Sequence, residues 1–282
     1  MNWLEGINKV IDHIEEHLEE DIDYEDISRV FGYSVYHVQR LFAMVAGVPI
    51  SEYIRKRRLS RAAADLQEGD CKVIDVAMKY GYTSSNSFNR AFKSFHGVAP
   101  SEARKKNVML KAFPPIYFEL TVRGLETLEY RIEKMKEFRI VGVKLASTME
   151  NGECYSKIPE FWMDLVKDGG QERIIGLMNR EPVGLLGVSS YSDDFSTGAL
   201  DYYIACSTDK AVPDGMEEFM VPESTWAAFP CRDRRPQGIQ DLERRIVTEW
   251  LPGSGYEFAN APDLEVHVSP DETEIWIPVR KA

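Results

Sequence analysis

The first hundred residues contain the same pattern twice. The segment DISRVFGY at 26–33 is matched at an offset of 49 by DVAMKYGY at 75–82. After one inserted residue the offset becomes 50, pairing Val38 with Phe88, Arg40 with Arg90, Phe42 with Phe92, Gly47 with Gly97 and Ser51 with Ser101. Self-similarity at a fixed period marks one supersecondary unit used twice. Each copy reads as helix, tight turn, helix. Asp23 is placed to cap the first helix ahead of Ile27, Val30 and Phe31, Gly32 supplies the positive φ that ends it, and Ser34 is placed to cap the next.

In the second helix of the first copy, Val38, Leu41, Phe42 and Val45 fall on one face, which predicts Tyr36, Gln39 and Arg40 on the opposite, outer face. In the second copy Phe88, Ala91, Phe92 and Phe95 point inward, leaving Ser85, Asn86, Asn89 and Arg90 outside. Arg matches guanine O6 and N7, and Gln or Asn matches adenine N6 and N7, so both outer faces carry side chains suited to base edges. Between the copies, 50–67 reads as a helix of eighteen residues. At about 1.5 Å per residue it spans ~27 Å, a spacer of the order of the ~34–36 Å between successive major-groove openings on one side of the duplex. Arg55 and Arg58 on this spacer, with Lys56, Arg57 and Arg61 beside them, are expected against phosphate.

Charge follows the same division. The whole chain carries −12, a balance that on its own argues against a polyanionic partner. Residues 27–106, however, hold fourteen Lys and Arg against six Asp and Glu, whereas 1–26 hold one Lys against ten acids and 107–282 hold nineteen bases against thirty acids. An eighty-residue basic block in an acidic protein is the electrostatic footprint of a nucleic-acid module.

With GYSVYHVQRLF, then GYTSSNSFNRAF, then GVAPSEAR, this region resembles the AraC/XylS family DNA-binding domain over roughly residues 5–106. The resemblance implies double-stranded DNA as partner, with Tyr36, Gln39 and Arg40, and Ser85, Asn86 and Arg90, lying against bases. It also implies contact with RNA polymerase. The family's frequent Trp is Tyr36 here, and Ser85 is shorter than the Gln of some members.

Past Lys106 the periodicity changes, and Pro114–Pro115 mark a linker. A strand at 138–145, a helix at 158–167 and strands at 184–190 and 200–207 are followed by the same order again: strand 225–231, helix 238–250, strands 264–268 and 274–279. The expectation is a duplicated βαββ unit forming an antiparallel sheet with helices on one face and a cleft near the junction. The whole is thus multidomain, α then α+β: an all-α double helix-turn-helix domain over 1–107, a linker with connecting strands over 108–136, and the duplicated domain over 137–282.

The segments STWAAFPCR, DLERRIVTEWLPGSGYE, DLEVHV and TEIWIPV resemble the GyrI-like effector-binding domain of Rob-type regulators. The resemblance implies a lipophilic, often cationic effector in an aromatic cleft, with Glu265 as the acidic contact and His267 where members usually have Tyr. Period two places Glu265 and His267 on one side of their strand, away from Leu264 and Val266. Trp226, Tyr202, Trp162 and Trp276 are candidates for the aromatic wall, where a delocalised cation relieves the burial of a carboxylate.

The leading reading is therefore a one-component transcription regulator and not an enzyme. The alternatives are a small-molecule hydrolase using Glu265 and His267 as a general base pair, or a protein-binding module tethered to the DNA-binding one. Cys71, Cys154, Cys206 and Cys231 are widely separated, which suits isolated thiols in a reducing compartment. The HIEEH segment at 13–17 matches a zinc-peptidase spacing, but Ile7, Val10, Ile11, Ile14 and Leu18 take the apolar stripe and leave the histidines among surface carboxylates. No metal, no cofactor and no membrane partner is expected. The acidic start, without a basic and apolar leader, points to the cytoplasm.

Overall fold

The computed structural model describes residues 3–32, 35–69, 71–105, 107–119, 127–149, 153–191, 198–233, 235–269 and 271–281. Ser34, expected as a helix cap, and the side chain of Tyr36, expected at the DNA, lie outside the described residues. Contacts group the chain into two compact units, one of Met1–Val38 with Ile50–Thr121 and one of Gln39–Pro49 with Val122–Ala282.

Helices α1 (Trp3–Glu16), α2 (Tyr24–Phe31), α3 (Val35–Ala46), α4 (Ile50–Glu68), α5 (Val73–Lys79) and α6 (Ser85–His96) follow in order, the boundary between units falling within α3. The first unit is built as its sequence dictates. Ile7, Val10, Ile11 and Ile14 of α1 are no more than 2% exposed. The Asp23 carboxylate accepts from the Glu25 N–H at 3.0 Å to start α2, and Gly32 ends it at φ 84°. Ser84 Oγ accepts from the Ser87 N–H at 3.2 Å to start α6, and Gly97, also at φ 84°, closes it. Leu59, Ala62 and Leu66 of α4 pack with Val76 and Tyr80 near α5 and with Phe88 and Phe92 of α6. His96, at the end of α6, bridges the Leu59 carbonyl through Nε2 at 3.1 Å and the Lys111 N–H through Nδ1 at 3.2 Å.

The basic face of α4 differs from the sequence expectation. Arg57 is buried, forked onto the Glu15 carboxylate at 2.7 Å through both Nε and Nη2, and hydrogen-bonded to the Phe113 carbonyl. Arg58 donates to the carbonyls of Leu18 and Glu20, just past the end of α1, at 2.9 and 2.6 Å, satisfying acceptors of the turn that follows the helix. Arg55 is chelated by Glu52 at 2.6–2.8 Å. These guanidinium groups are engaged within the chain rather than presented as a free phosphate-binding row.

The second unit holds nine strands among the described residues: β1 (Arg131–Met135), β2 (Phe138–Thr148), β3 (Leu185–Tyr191), β4 (Ala199–Ser207), β5 (Glu217–Val221), β6 (Ser224–Cys231), β7 (Tyr256–Phe258), β8 (Asp263–Ser269) and β9 (Glu272–Lys281). Helices α7 (Glu153–Lys167) and α8 (Gly170–Ile175) precede β3, and α9 (Pro236–Arg245), continued by a π-helical turn over Ile246–Trp250, precedes β7. All pairs are antiparallel, in the order β1-β6-β9-β8-β3-β4-β2-β5, with β7 on β9. The expected duplication is present as β2-α7-β3-β4 and β6-α9-β8-β9, and the order reads alike from either half, so β3 and β8 form the seam. The sequence reading missed β5, β7 and α8, which are short additions to the repeated pattern; β1 falls within the connecting strands expected over 108–136, but it pairs with β6 in the main sheet.

Register assigns the two sheet faces. Leu264 lies opposite both Trp276 and Val188, and Ala228 is opposite Trp276, so these residues share a face and a core with Trp226. On the other face Leu185, Tyr202 and Ile204 pack with Leu165 and Trp162 of α7 and Ile174 of α8. Among the described residues, no helix is long and apolar enough to cross a membrane.

Candidate functional site

The helix-covered face of the sheet contains a cavity of about 790 Å³. Its floor is the β3–β8 seam and its walls come from α7, α8 and α9, with Trp162, Ile158 and Ile239 among the apolar contributors and Glu265, His267 and Glu243 among the polar ones. Glu265 stands opposite Gly187 across the seam. A Cβ at position 187 would come within 2.3 Å of the Tyr202 hydroxyl and 3.2 Å of the Glu265 Cβ. The missing side chain is thus what lets the Tyr202 phenol reach Glu265.

The phenol donates to Glu265 Oε1 at 3.0 Å and accepts from the Trp162 indole Nε1 at 2.8 Å. Burial, reinforced by the Glu265 charge, holds Tyr202 well above the ordinary phenol range, so it stays a donor. His267 shares the side of β8 with Glu265, but its Nε2 is 3.8 Å from Glu265 Oε2, beyond hydrogen-bond reach. Its Nδ1 meets Thr273 Oγ1 at 3.0 Å, its ring packs edge-on against Trp162 with centroids 5.0 Å apart, and its Nε2 has no hydrogen-bond partner among the described residues.

The six residues expected at the ligand therefore divide. Trp162, Glu265 and His267 line the cavity, and Tyr202 stands behind them as the group that fixes Glu265. Trp226 and Trp276 do not belong there. Trp226 is fully buried on the opposite face, its indole donating to the Pro262 carbonyl at 3.0 Å, and Trp276 donates to Glu274 at 2.9 Å in the same core. Both are core tryptophans with satisfied N–H groups. The reading missed Glu243, whose signal was available: an acid four residues after Ile239 and three before Ile246, on the apolar stripe of its helix.

The two helices expected to read bases also diverge. Ser85, Asn86, Asn89 and Arg90 of α6 are exposed, as expected. Gln39 and Arg40 of α3 are 5% and 0% exposed, which corrects their expected outer placement. Gln39–Pro49 belongs to the second unit, where Arg40 hydrogen-bonds the Asp263 carboxylate and lies over the rings of Phe258 and Tyr191 at 4.1 and 5.3 Å. Paired and stacked, the guanidinium is buried without an uncompensated charge. Among the described residues no group of three His, Cys, Asp or Glu side chains is gathered as a metal site. His17 Nδ1 is turned onto the His13 carbonyl at 2.7 Å.

Comparison with known proteins identifies both halves. Residues 131–279 match the family described as integron-associated effector binding protein, and residues 27–106 match a helix-turn-helix domain. The HTH-type transcriptional activator AarP of Providencia stuartii is 40% identical over 95 residues, covering 34% of this chain and 70% of that protein. The multiple antibiotic resistance protein MarA of Escherichia coli K12 is 33% identical over 102 residues, covering 36% of this chain and 80% of that one. A solved structure described as SAV2435 bound to tetraphenylphosphonium is 20% identical with a TM-score of 0.49, over 54% of this chain and 94% of that one. The chain belongs to the integron-associated effector binding protein family, and its first hundred residues make it a transcriptional regulator of the AraC helix-turn-helix type with a GyrI-like effector-binding domain.

Proposed function

We propose that the chain is a one-component regulator whose helix-turn-helix module binds duplex DNA and whose cavity takes a lipophilic, cationic small molecule that alters transcriptional output. The observation that carries the ligand class is a carboxylate, Glu265, held by the Tyr202 phenol in a cavity whose walls carry Trp162, Ile158 and Ile239. A buried carboxylate is costly without a counter-charge, and a delocalised cation beside Trp162 supplies one. For the DNA side, Asn86, Asn89 and Arg90 on the open face of α6 are the base-reading candidates and Ser85 lies beside them. Response to the ligand requires that it bind two states of the protein unequally.

The test is calorimetric titration of the full chain with methyltriphenylphosphonium and with neutral triphenylphosphine oxide. Glu265→Gln is expected to weaken the cation by about tenfold or more and to leave the neutral compound nearly unchanged. Equal binding of both compounds, unaffected by the substitution, removes the charge contact.

A further inference from the structure

Glu243 sits on the face of α9 that also presents Pro236, Ile239 and Gln240 to the cavity. Glu265 enters the same space from the sheet. Two carboxylates on different walls thus share one largely apolar volume, but they are not equivalent. Glu265 has the Tyr202 hydroxyl as donor at 3.0 Å, whereas Glu243 has no side-chain donor among the described residues.

The groups facing Glu243 are mostly acidic or neutral. From β8 come Asp263, Glu265 and His267. Tyr191 of β3, Tyr202 of β4 and Cys231 of β6 each feel the Glu243 charge, as do Cys154 and Tyr155 of α7. The cations are Arg40 of α3, which is bound to Asp263, and Arg244 on α9 itself, which is exposed and paired with Asp241 at 3.1 Å. Burial, with the like charges of Glu265 and Asp263 and against the pull of Arg40, pushes the Glu243 carboxyl up to about 8. Ionising Glu243 without a counter-charge is thus opposed both by its surroundings and by its acidic neighbours.

We propose that Glu243 is a second ligand-binding carboxylate of this cavity, and that a lipophilic cation enters in exchange for the Glu243 proton. The proposal rests on the cation-binding reading above and adds to it a proton stoichiometry and a pH law. The entering positive charge stabilises the ionised carboxylate, the O–H bond breaks, and the proton passes to solvent. Below the free carboxyl's value the proton competes with the ligand, so affinity rises by about tenfold per pH unit and levels off above it.

The experiment titrates the full chain with methyltriphenylphosphonium between pH 6 and 9 in buffers of different ionisation enthalpy. The unmodified chain is expected to release close to one proton per cation near pH 7 and to tighten by about tenfold from pH 6 to 7. Glu243→Gln is expected to release none and to bind with a flat pH profile. Cation binding without proton release and with no pH dependence, or Glu243→Gln behaving as the unmodified chain does, overturns the proposal. If the unmodified chain takes the neutral phosphine oxide and not the phosphonium at any pH, the cation reading itself falls, and this inference with it. A flat pH profile of the unmodified chain overturns the proposal even if the variant is unstable.

Discussion

Helices α3 and α6 are the same motif position in two copies of one pattern, yet one shows its polar side chains to water and the other buries them. On α6, Ser85, Asn86, Asn89 and Arg90 are exposed; on α3, Gln39 and Arg40 are inside, with Arg40 matched to Asp263. The difference teaches that helical periodicity identifies the apolar stripe but says nothing about what meets the remaining face. A guanidinium suited to guanine is equally suited to a carboxylate.

Four substitutions probe this contrast. The largest effect is expected from Asp263→Ala, which leaves the Arg40 charge buried and unpaired and lowers stability by about 3–5 kcal/mol, read from urea unfolding. An unchanged midpoint means that α3 is not held as described and that the two helices are alike. Next, Arg90→Ala is expected to weaken binding to the cognate DNA by about 1–3 kcal/mol in a mobility-shift titration. Arg40→Ala is expected to cost less there while Arg40 stays with Asp263; equal losses show α3 presented to DNA as α6 is. The smallest effect belongs to His96, which anchors the end of α6 with both ring nitrogens. Burial holds its imidazole below the ordinary value of 6.5, against the raising effect of the Leu59 carbonyl. The unfolded chain therefore takes up the proton first, and stability is full above pH 6.5 and declines as pH falls below it. His96→Asn is expected to reduce that decline in thermal melts between pH 5 and 7.

How much of this was legible depends on whether local sequence carried the reason. The caps at Asp23 and Gly32 and the repeated βαββ order are written locally, and they are found where expected. Glu265 and His267 were placed on one side of β8 by alternation alone. Trp226 and Trp276 went astray because alternation gives each strand two faces without saying which faces match across strands. The pairing of Leu264 with Trp276 decides that, and it joins residues from separate segments. Arg57 was misread for a similar reason: its partner Glu15 is 42 positions away. Burial raises Glu15, but the hydrogen bonds from Arg57 and Tyr53 outweigh this and keep its carboxyl below the usual range. Glu243 was legible as a charge on an apolar stripe, but a charge there reads first as a boundary of the stripe.

Gly187 leaves room for the phenol that reaches Glu265 from the neighbouring strand. The acceptor strength of that carboxylate is thereby set by an atom that is not present. One methyl group at this place would part the phenol from the acid while leaving every charged and aromatic residue of the chamber in the gene. The shape of this chamber therefore depends on a position that lends it no functional group at all.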